Sequence, residues 1–320
     1  MSTVDKVRPV DEPEGWRVVV ITNIPGGVVY TLVDDVVRPL GHKIVGVVTS
    51  PGPPRRRSDS YLGVVAAVST GVDVLVSNHP SRWAAMLAPL RPDLIVCGGM
   101  PWRLPPDLIA LPRLGTINIH PAHLPRNRGP ASVEWAFRNG DPELGLTVHR
   151  MDAGFDTGAI LAQGSVPIDD EDDIGSLIEK FGPAMSELLG KALERVARGD
   201  PGEPQDETQA SEAGLFEVGW RTIDWGRPAR TVHNQVRSWT GIRDTPKGAL
   251  GEVDGDVLQI TKTRLLPGEA TGALPGTVLR RDGERLVVQC GDGPLELVAW
   301  GRSEGRGVGH PPPATTAGAT

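Results

Sequence analysis

The sequence predicts a doubly wound α/β domain with a mainly parallel sheet, followed by a smaller antiparallel β domain. Three observations predict it. Continuous β-branched runs, apolar on both faces, recur through the first 200 residues, and such strands belong in a parallel sheet covered by helices. Segments of helical period separate those runs in a βαβ rhythm. Near residue 200 the composition changes to Gly, Pro and charge, and the runs beyond it are short and divided by Gly and Asp turns.

The strands of the first domain are expected at Arg17-Val18-Val19-Val20-Ile21-Thr22, Ile44 to Thr49, Val72 to Val76 and Asp93 to Cys97, with helices over about 28–40, 58–70 and 80–90. Asn23-Ile24-Pro25-Gly26-Gly27 follows the first strand. It lacks the G-x-G-x-x-G spacing that admits a pyrophosphate, and it reads as a tight turn into a helix or as part of a ligand site. Pro51-Gly52-Pro53-Pro54-Arg55-Arg56-Arg57 follows the second strand as a stiff basic loop, either solvated or facing an anionic substrate group. Further strands are expected at Gly115 to His120, Gly145 to Met151 and Ala159 to Val166, with a helix over about 131–139. The expected organisation is a first domain over 1–198, a linker over 199–212, a β-barrel-like domain over 213–301 and a disordered tail over 302–320. In the third part, β runs are expected at about 249–252, 257–266, 276–281, 285–290 and 294–300.

Composition excludes several classes. The 320 residues carry 33 Lys and Arg against 40 Asp and Glu, a net charge of −7, which disfavours general nucleic-acid binding. No apolar stretch is long enough to span a bilayer, and the polar amino terminus does not read as a secretory signal. Cys97 and Cys290 cannot build a disulfide framework, and both are expected to be reduced in a cytoplasmic protein.

Chemistry concentrates between Gly115 and Ala162. In Thr116-Ile117-Asn118-Ile119-His120, alternation puts Asn118 and His120 on one face at the end of a strand, where ligands of such sheets bind. The loop Asp152-Ala153-Gly154-Phe155-Asp156-Thr157-Gly158 ends a second strand and can bring Asp156 to the same place. An amide and an imidazole can donate to a developing oxyanion while a carboxylate orients the imidazole and holds it charged. No serine sits in a G-x-S-x-G elbow and neither cysteine lies beside a base, so acyl transfer without a covalent enzyme intermediate is expected. His120 and His123 form an H-x-x-H on a proline-broken loop, which is a poor metal site, and no metal is expected. His149 and Asp152 flank the second loop, where a structural role is expected for both.

Asn118-Ile119-His120-Pro121-Ala122-His123-Leu124-Pro125-Arg126-Asn127-Arg128-Gly129, followed by Gly145 to Gly158, resembles the core of the folate-dependent formyltransferases. The similarity covers most of 16–200 and continues more weakly through 215–300, including Thr222-Ile223-Asp224-Trp225 and a helix-like Pro228 to Trp239. The resemblance implies transfer of a formyl group from 10-formyltetrahydrofolate, as cosubstrate, to an amine, with an OB-like carboxy-terminal domain. It implies catalytic roles for Asn118, His120 and Asp156 around a tetrahedral intermediate. It also implies a pterin pocket lined by Met100, Trp102 and Leu104 together with Asp152 and Phe155 of the second loop. Trp102 can equally be a packing residue at a helix start. One departure is Ala122-His123 before Leu124-Pro125, which places an unusual histidine beside the site.

The amine is read from charge. Residues 205–320 carry 13 basic and 15 acidic side chains, a net −2. The expectation is therefore a small-molecule amine such as an amino sugar, amino acid or biosynthetic intermediate, with His123 and Arg55 as substrate contacts. Methionyl-tRNA as acceptor is the second reading, and hydrolysis of formyltetrahydrofolate with water as acceptor is the third. The carboxy-terminal domain is left to cover the site or to mediate a homodimer.

Overall fold

The computed structural model describes residues 15–53, 57–241, 247–269, 271–283 and 285–303. Its contacts divide the chain into two compact units, one of Met1–Trp220 with Arg237–Lys247 and one of Arg221–Val236 with Gly248–Thr320.

The first unit is built on a seven-stranded sheet of order β3-β2-β1-β4-β5-β6-β7. Its strands are β1 (Arg17–Thr22), β2 (Lys43–Thr49), β3 (Asp73–Val76), β4 (Leu94–Gly98), β5 (Thr116–His120), β6 (Glu143–Arg150) and β7 (Ile160–Pro167). The first five pair in parallel. β5, β6 and β7 pair antiparallel. Period-two alternation divides β1 between two cores. Val18 and Val20 pack with Val33 of α1 (Val28–Val37) and Leu189 of α6 (Ile174–Ala197). Val19 and Ile21 pack on the other face with Trp83 of α3 (Trp83–Leu87) and Leu108 of α4 (Pro106–Ile109). Burial of such aliphatic side chains contributes about 1.5–3 kcal/mol each.

The remaining helices of this unit are α2 (Ser60–Ala67) and α5 (Ser132–Asn139). The Pro25–Gly27 segment is a 3-10 turn into α1, and Gly27 has φ 68 with its missing Cβ aimed 2.2 Å from the Ala67 Cβ. Only glycine permits that approach of α1 to α2. The long α6 has no counterpart among the expected helices. Asp173 and Ser176 close a capping box at its start, and the interior Gly182-Pro183 obscures its period in the sequence.

Residues 199–212, expected as a linker, are hydrogen-bonded onto the first unit. Ile160 and Glu203 exchange backbone bonds of 2.7 and 2.9 Å, Arg128 N donates to Ser211 O at 2.9 Å, and Ala213 N donates to Arg128 O at 2.6 Å.

The second unit holds a five-stranded antiparallel sheet of order β10-β11-β12-β9-β8. Its strands are β8 (Ala249–Val253), β9 (Asp256–Leu265), β10 (Val278–Asp282), β11 (Arg285–Gln289) and β12 (Pro294–Arg302). Val232 of α7 (Ala229–Ser238) is fully buried in this unit, as are Ile260, Val288, Leu295 and Leu297. β12 runs to Arg302, the first residue of the expected tail; residues 304–320 lie outside the described residues.

Candidate active site

β5 and β6 pair antiparallel with Asn118 opposite His149 and His120 opposite Thr147. Their polar side chains therefore meet at the carboxyl end of β5, where the sheet passes from parallel to antiparallel pairing. Asn118, His120 and His149 are 8%, 5% and 1% exposed. Asp156 comes to them from the loop after β6, held at φ 54, a left-handed conformation uncommon outside glycine.

The four side chains form one cluster. Asn118 Nδ2 donates to Asp156 Oδ1 at 3.3 Å and contacts His149 Nε2 at 3.2 Å. His149 Nδ1 lies 2.7 Å from the Arg150 carbonyl, so its hydrogen belongs on Nδ1 and Nε2 accepts from Asn118. The other carboxylate oxygen, Asp156 Oδ2, accepts from Gly129 N at 2.9 Å and lies 3.7 Å from His120 Nδ1. His120 Nε2 donates to the Asn127 carbonyl at 3.0 Å.

This geometry corrects one expectation. Asp156 does not orient His120 by a hydrogen bond, because 3.7 Å is beyond bonding distance; the Asn127 carbonyl orients it. Burial works against the expectation that the imidazole is held charged. Burial pushes its pKa below the ordinary histidine value, against the pull of Asp156 and the Asn127 carbonyl. Burial also opposes the charge on Asp156, but His120, His149 and the Gly129 N–H outweigh it and bring its carboxyl down to about 2. The result is a neutral imidazole whose Nδ1 lone pair faces an ionised carboxylate. A proton arriving at Nδ1 is stabilised at once by the charge beside it.

The cluster borders a cavity of about 400 Å³. Met100, Trp102, Leu104, Asp152 and Phe155 line it together with Asn118, His120 and Asp156. Trp102 is fixed by Nε1, which donates to Ser50 Oγ at 3.0 Å. Asp152 Oδ1 accepts from Gly154 N at 2.9 Å and Thr157 Oγ1 at 2.6 Å, so that oxygen shapes its own loop. Ile174, Leu177 and Phe181 of α6 supply part of the apolar wall. Cys97 also borders the cavity, and burial pushes its thiol up to about 12, which removes it as a nucleophile. A cavity of this size, apolar with polar groups at one edge, fits a flat heteroaromatic ring system.

His123 is exposed and lines a second cavity, of about 320 Å³, with Arg126, Asp141 and Glu143. Gly145 lets the His123 loop lie on β6, since a Cβ there would fall 2.1 Å from His123 N. Arg55 lies outside the described residues. Two contributors escaped the sequence reading. His149 was given only a structural role, although the Thr147-Val148-His149 alternation parallels that of Asn118 and His120 and offers the signal. Gln205 also joins the site: its Nε2 donates to the carbonyls of Asp156 and Gly158, each at 2.8 Å. No local pattern signals that contact.

Residues 17–193 match the formyl transferase family, and residues 220–306 match the formyl transferase carboxy-terminal domain. A methionyl-tRNA formyltransferase of Pelobacter propionicus is 37% identical over 262 residues, covering 80% of each chain. The crystal structure of HypX from Aquifex aeolicus in complex with tetrahydrofolic acid superposes with a TM-score of 0.64 at 21% identity, covering 89% of this chain and 44% of that one. An N-formyltransferase from Helicobacter canadensis, in complex with folinic acid and dTDP-3-aminofucose, superposes with a TM-score of 0.63 at 15% identity, covering 88% and 98%. These last two likenesses establish a shared fold.

Proposed function

The chain belongs to the formyl transferase family, and on that premise we propose that it moves the formyl group of 10-formyltetrahydrofolate to the amine of a small molecule. The pterin occupies the 400 Å³ cavity against Trp102, Met100, Leu104 and Phe155, with the 152–156 loop backbone meeting its polar edge. Asn118 Nδ2 turns from its long 3.3 Å bond with Asp156 toward the oxyanion that develops on the formyl oxygen. His120 Nδ1 accepts the proton that the attacking amine loses, and Asp156 stabilises the imidazolium so formed. The new C–N bond replaces the bond from the formyl carbon to N10, and N10 leaves with the proton that His120 gives back, so that the imidazole ends neutral.

One observation carries the choice of acceptor: residues 205–320 are net −2, and four arginines of the carboxy-terminal sheet lie beside carboxylates, which leaves Lys262 and Arg280, among the described residues, as the sheet's cations without a carboxylate beside them. Arg264 and Arg285 both reach Glu296, at 3.2 and 3.8 Å, Arg281 reaches Asp254 at 3.2 Å and Arg302 reaches Asp256 at 3.0 Å. A surface that binds a nucleic-acid backbone presents unneutralised cations. The second cavity shares Pro121, Ser132 and Leu144 with the first and carries His123, so it offers a small amine an approach. A specific observation favours the second reading, methionyl-tRNA as acceptor: the 37% identity to the Pelobacter propionicus enzyme extends over 80% of its length. The deciding experiment presents 10-formyltetrahydrofolate with a panel of amino sugars and amino acids and, separately, with methionyl initiator tRNA, read by mass gain of one formyl group. Faster formylation of the tRNA than of any small amine overturns the proposal, and release of formate with folate alone points to a hydrolase.

A further inference from the structure

We infer that Gln205 is a positioning residue for formyl transfer, a side chain that ties the backbone of the Asp156 loop to Arg128 and holds Asp156 in its working conformation. The inference rests on the catalytic reading of Asp156 above.

Gln205 uses both ends of its amide. Nε2 donates to Asp156 O and to Gly158 O, each at 2.8 Å. Oε1 accepts from Arg128 Nε at 3.1 Å and Nη2 at 2.7 Å. Arg128 directly precedes Gly129, whose N–H is the shortest bond to the Asp156 carboxylate, at 2.9 Å. One amide thus bridges the loop that bears the carboxylate and the loop that donates to it. The bridge is directional, with two carbonyls demanding donors on one side and a guanidinium demanding an acceptor on the other, and only a primary amide supplies both.

Two facts make the bridge matter. Asp156 sits at φ 54, a conformation its own backbone does not favour, so something outside the residue must hold it there. Its side-chain contacts with Asn118, His149 and His120 run from 3.3 to 3.7 Å, too long to hold the loop. Apart from the Gly129 bond at 2.9 Å, the short bonds are those of Gln205, and one of them grips the carbonyl of Asp156 itself. The carboxylate's distance from His120 Nδ1 is therefore set by a residue that touches neither reacting partner.

Gln205→Glu tests this with almost no change of shape. The carboxylate keeps Arg128 but faces the Asp156 and Gly158 carbonyls with acceptors, which repel them. The readouts are turnover of 10-formyltetrahydrofolate with hydroxylamine, an acceptor that needs no pocket, the affinity for folinic acid, and the NMR titration of the His120 imidazole. The expected result is a kcat lowered about 100-fold, with KM and folinic acid affinity within about threefold of wild type and a displaced His120 titration. Gln205→Met, which removes donors and acceptor without adding charge, is expected to lower kcat about tenfold, and an unchanged melting midpoint shows that it folds. Unchanged kcat in both variants, or an unchanged His120 titration, overturns the proposal. Loss of folinic acid affinity in step with kcat also overturns it, since that marks general collapse of the cavity. Asp156→Ala separates the two readings: if it too keeps full turnover, the catalytic assignment has failed; if it is inactive while Gln205→Glu is not, only the positioning role has failed.

Discussion

Asp156 and Asp172 are two carboxylates buried to similar depth in the same unit, with side chains 11% and 7% exposed, and they have opposite surroundings. Asp172, at the start of α6, is fully answered. Its oxygens accept from Lys180 Nζ at 2.5 Å, Asp169 N at 2.7 Å and Ser176 Oγ at 2.8 Å, and an ammonium takes up its charge. Burial opposes that charge, yet Lys180 and the other donors hold the carboxyl below its ordinary range. Among the described residues, no Lys or Arg contacts the Asp156 carboxylate. A single contact shorter than 3 Å reaches that carboxylate, from Gly129 N, and the rest are an amide and two imidazoles beyond 3 Å. A carboxylate paired with a full cation is a fastening. One held by dipoles and by a neutral imidazole keeps its field available for a proton that arrives during reaction.

Substitutions can break this contrast. Asp156→Asn is expected to lower kcat about 1,000-fold and also to lower the melting midpoint by a few degrees, since the stability carried by its lowered carboxyl is lost, as steady-state rates and thermal melts would record. Removing the partner that fixes Asn118 is the next largest effect: His149→Leu should cost about 10- to 100-fold in kcat with a smaller change in KM for the folate.

Acid pH sharpens the contrast through signs. His120 has a folded pKa below the ordinary value near 6.5, so its stabilising contribution is present above about pH 6.5 and is lost as pH falls below it. Activity that needs neutral His120 therefore persists below about pH 6.5 before its acid limb begins, and a kcat/KM profile with that limb above 6.5 contradicts the assignment. Asp156, lowered to about 2, contributes stability above the ordinary carboxylate range and loses it as pH falls toward 2. In Asp156→Asn the acid limb of the residual activity moves to still lower pH, because the charge that raised the His120 pKa is gone.

The smallest effect on rate belongs to the other carboxylate. Asp172→Asn should leave kcat within about twofold and lower the melting midpoint by a few degrees. A large loss of activity there would dissolve the distinction.

Much of this site is legible from sequence because it is local. Alternation alone places Asn118 beside His120, and the Asp-Gly loop after the next strand brings Asp156 within reach. His149 is not legible at that level, since its role depends on β6 pairing antiparallel with β5 in the register that sets it opposite Asn118. Gln205 is hidden for a related reason: it lies 49 residues from Asp156, in a stretch whose Gly, Pro and charge resemble a free linker. α6 is obscured because Gly182-Pro183 breaks the helical reading, while its Asp173–Ser176 cap and its buried Leu177, Leu188, Leu189 and Leu193 sustain the helix.

The bonds at Ile160–Glu203, Gln205 and Ser211 bear on where this enzyme can be cut. The amino-terminal family match ends at residue 193, after every strand of the seven-stranded sheet and nearly all of α6, yet the chain comes back across both loops only at 203–213. A fragment stopped at the end of the helix would carry Asn118, His120, His149 and Asp156 and lack the bonds from 203–213 that tie their loops together. On the roles proposed above, recombination that grafts this head onto a different tail must inherit residues up to about 213, and a ribosome must release them, before the fragment can work.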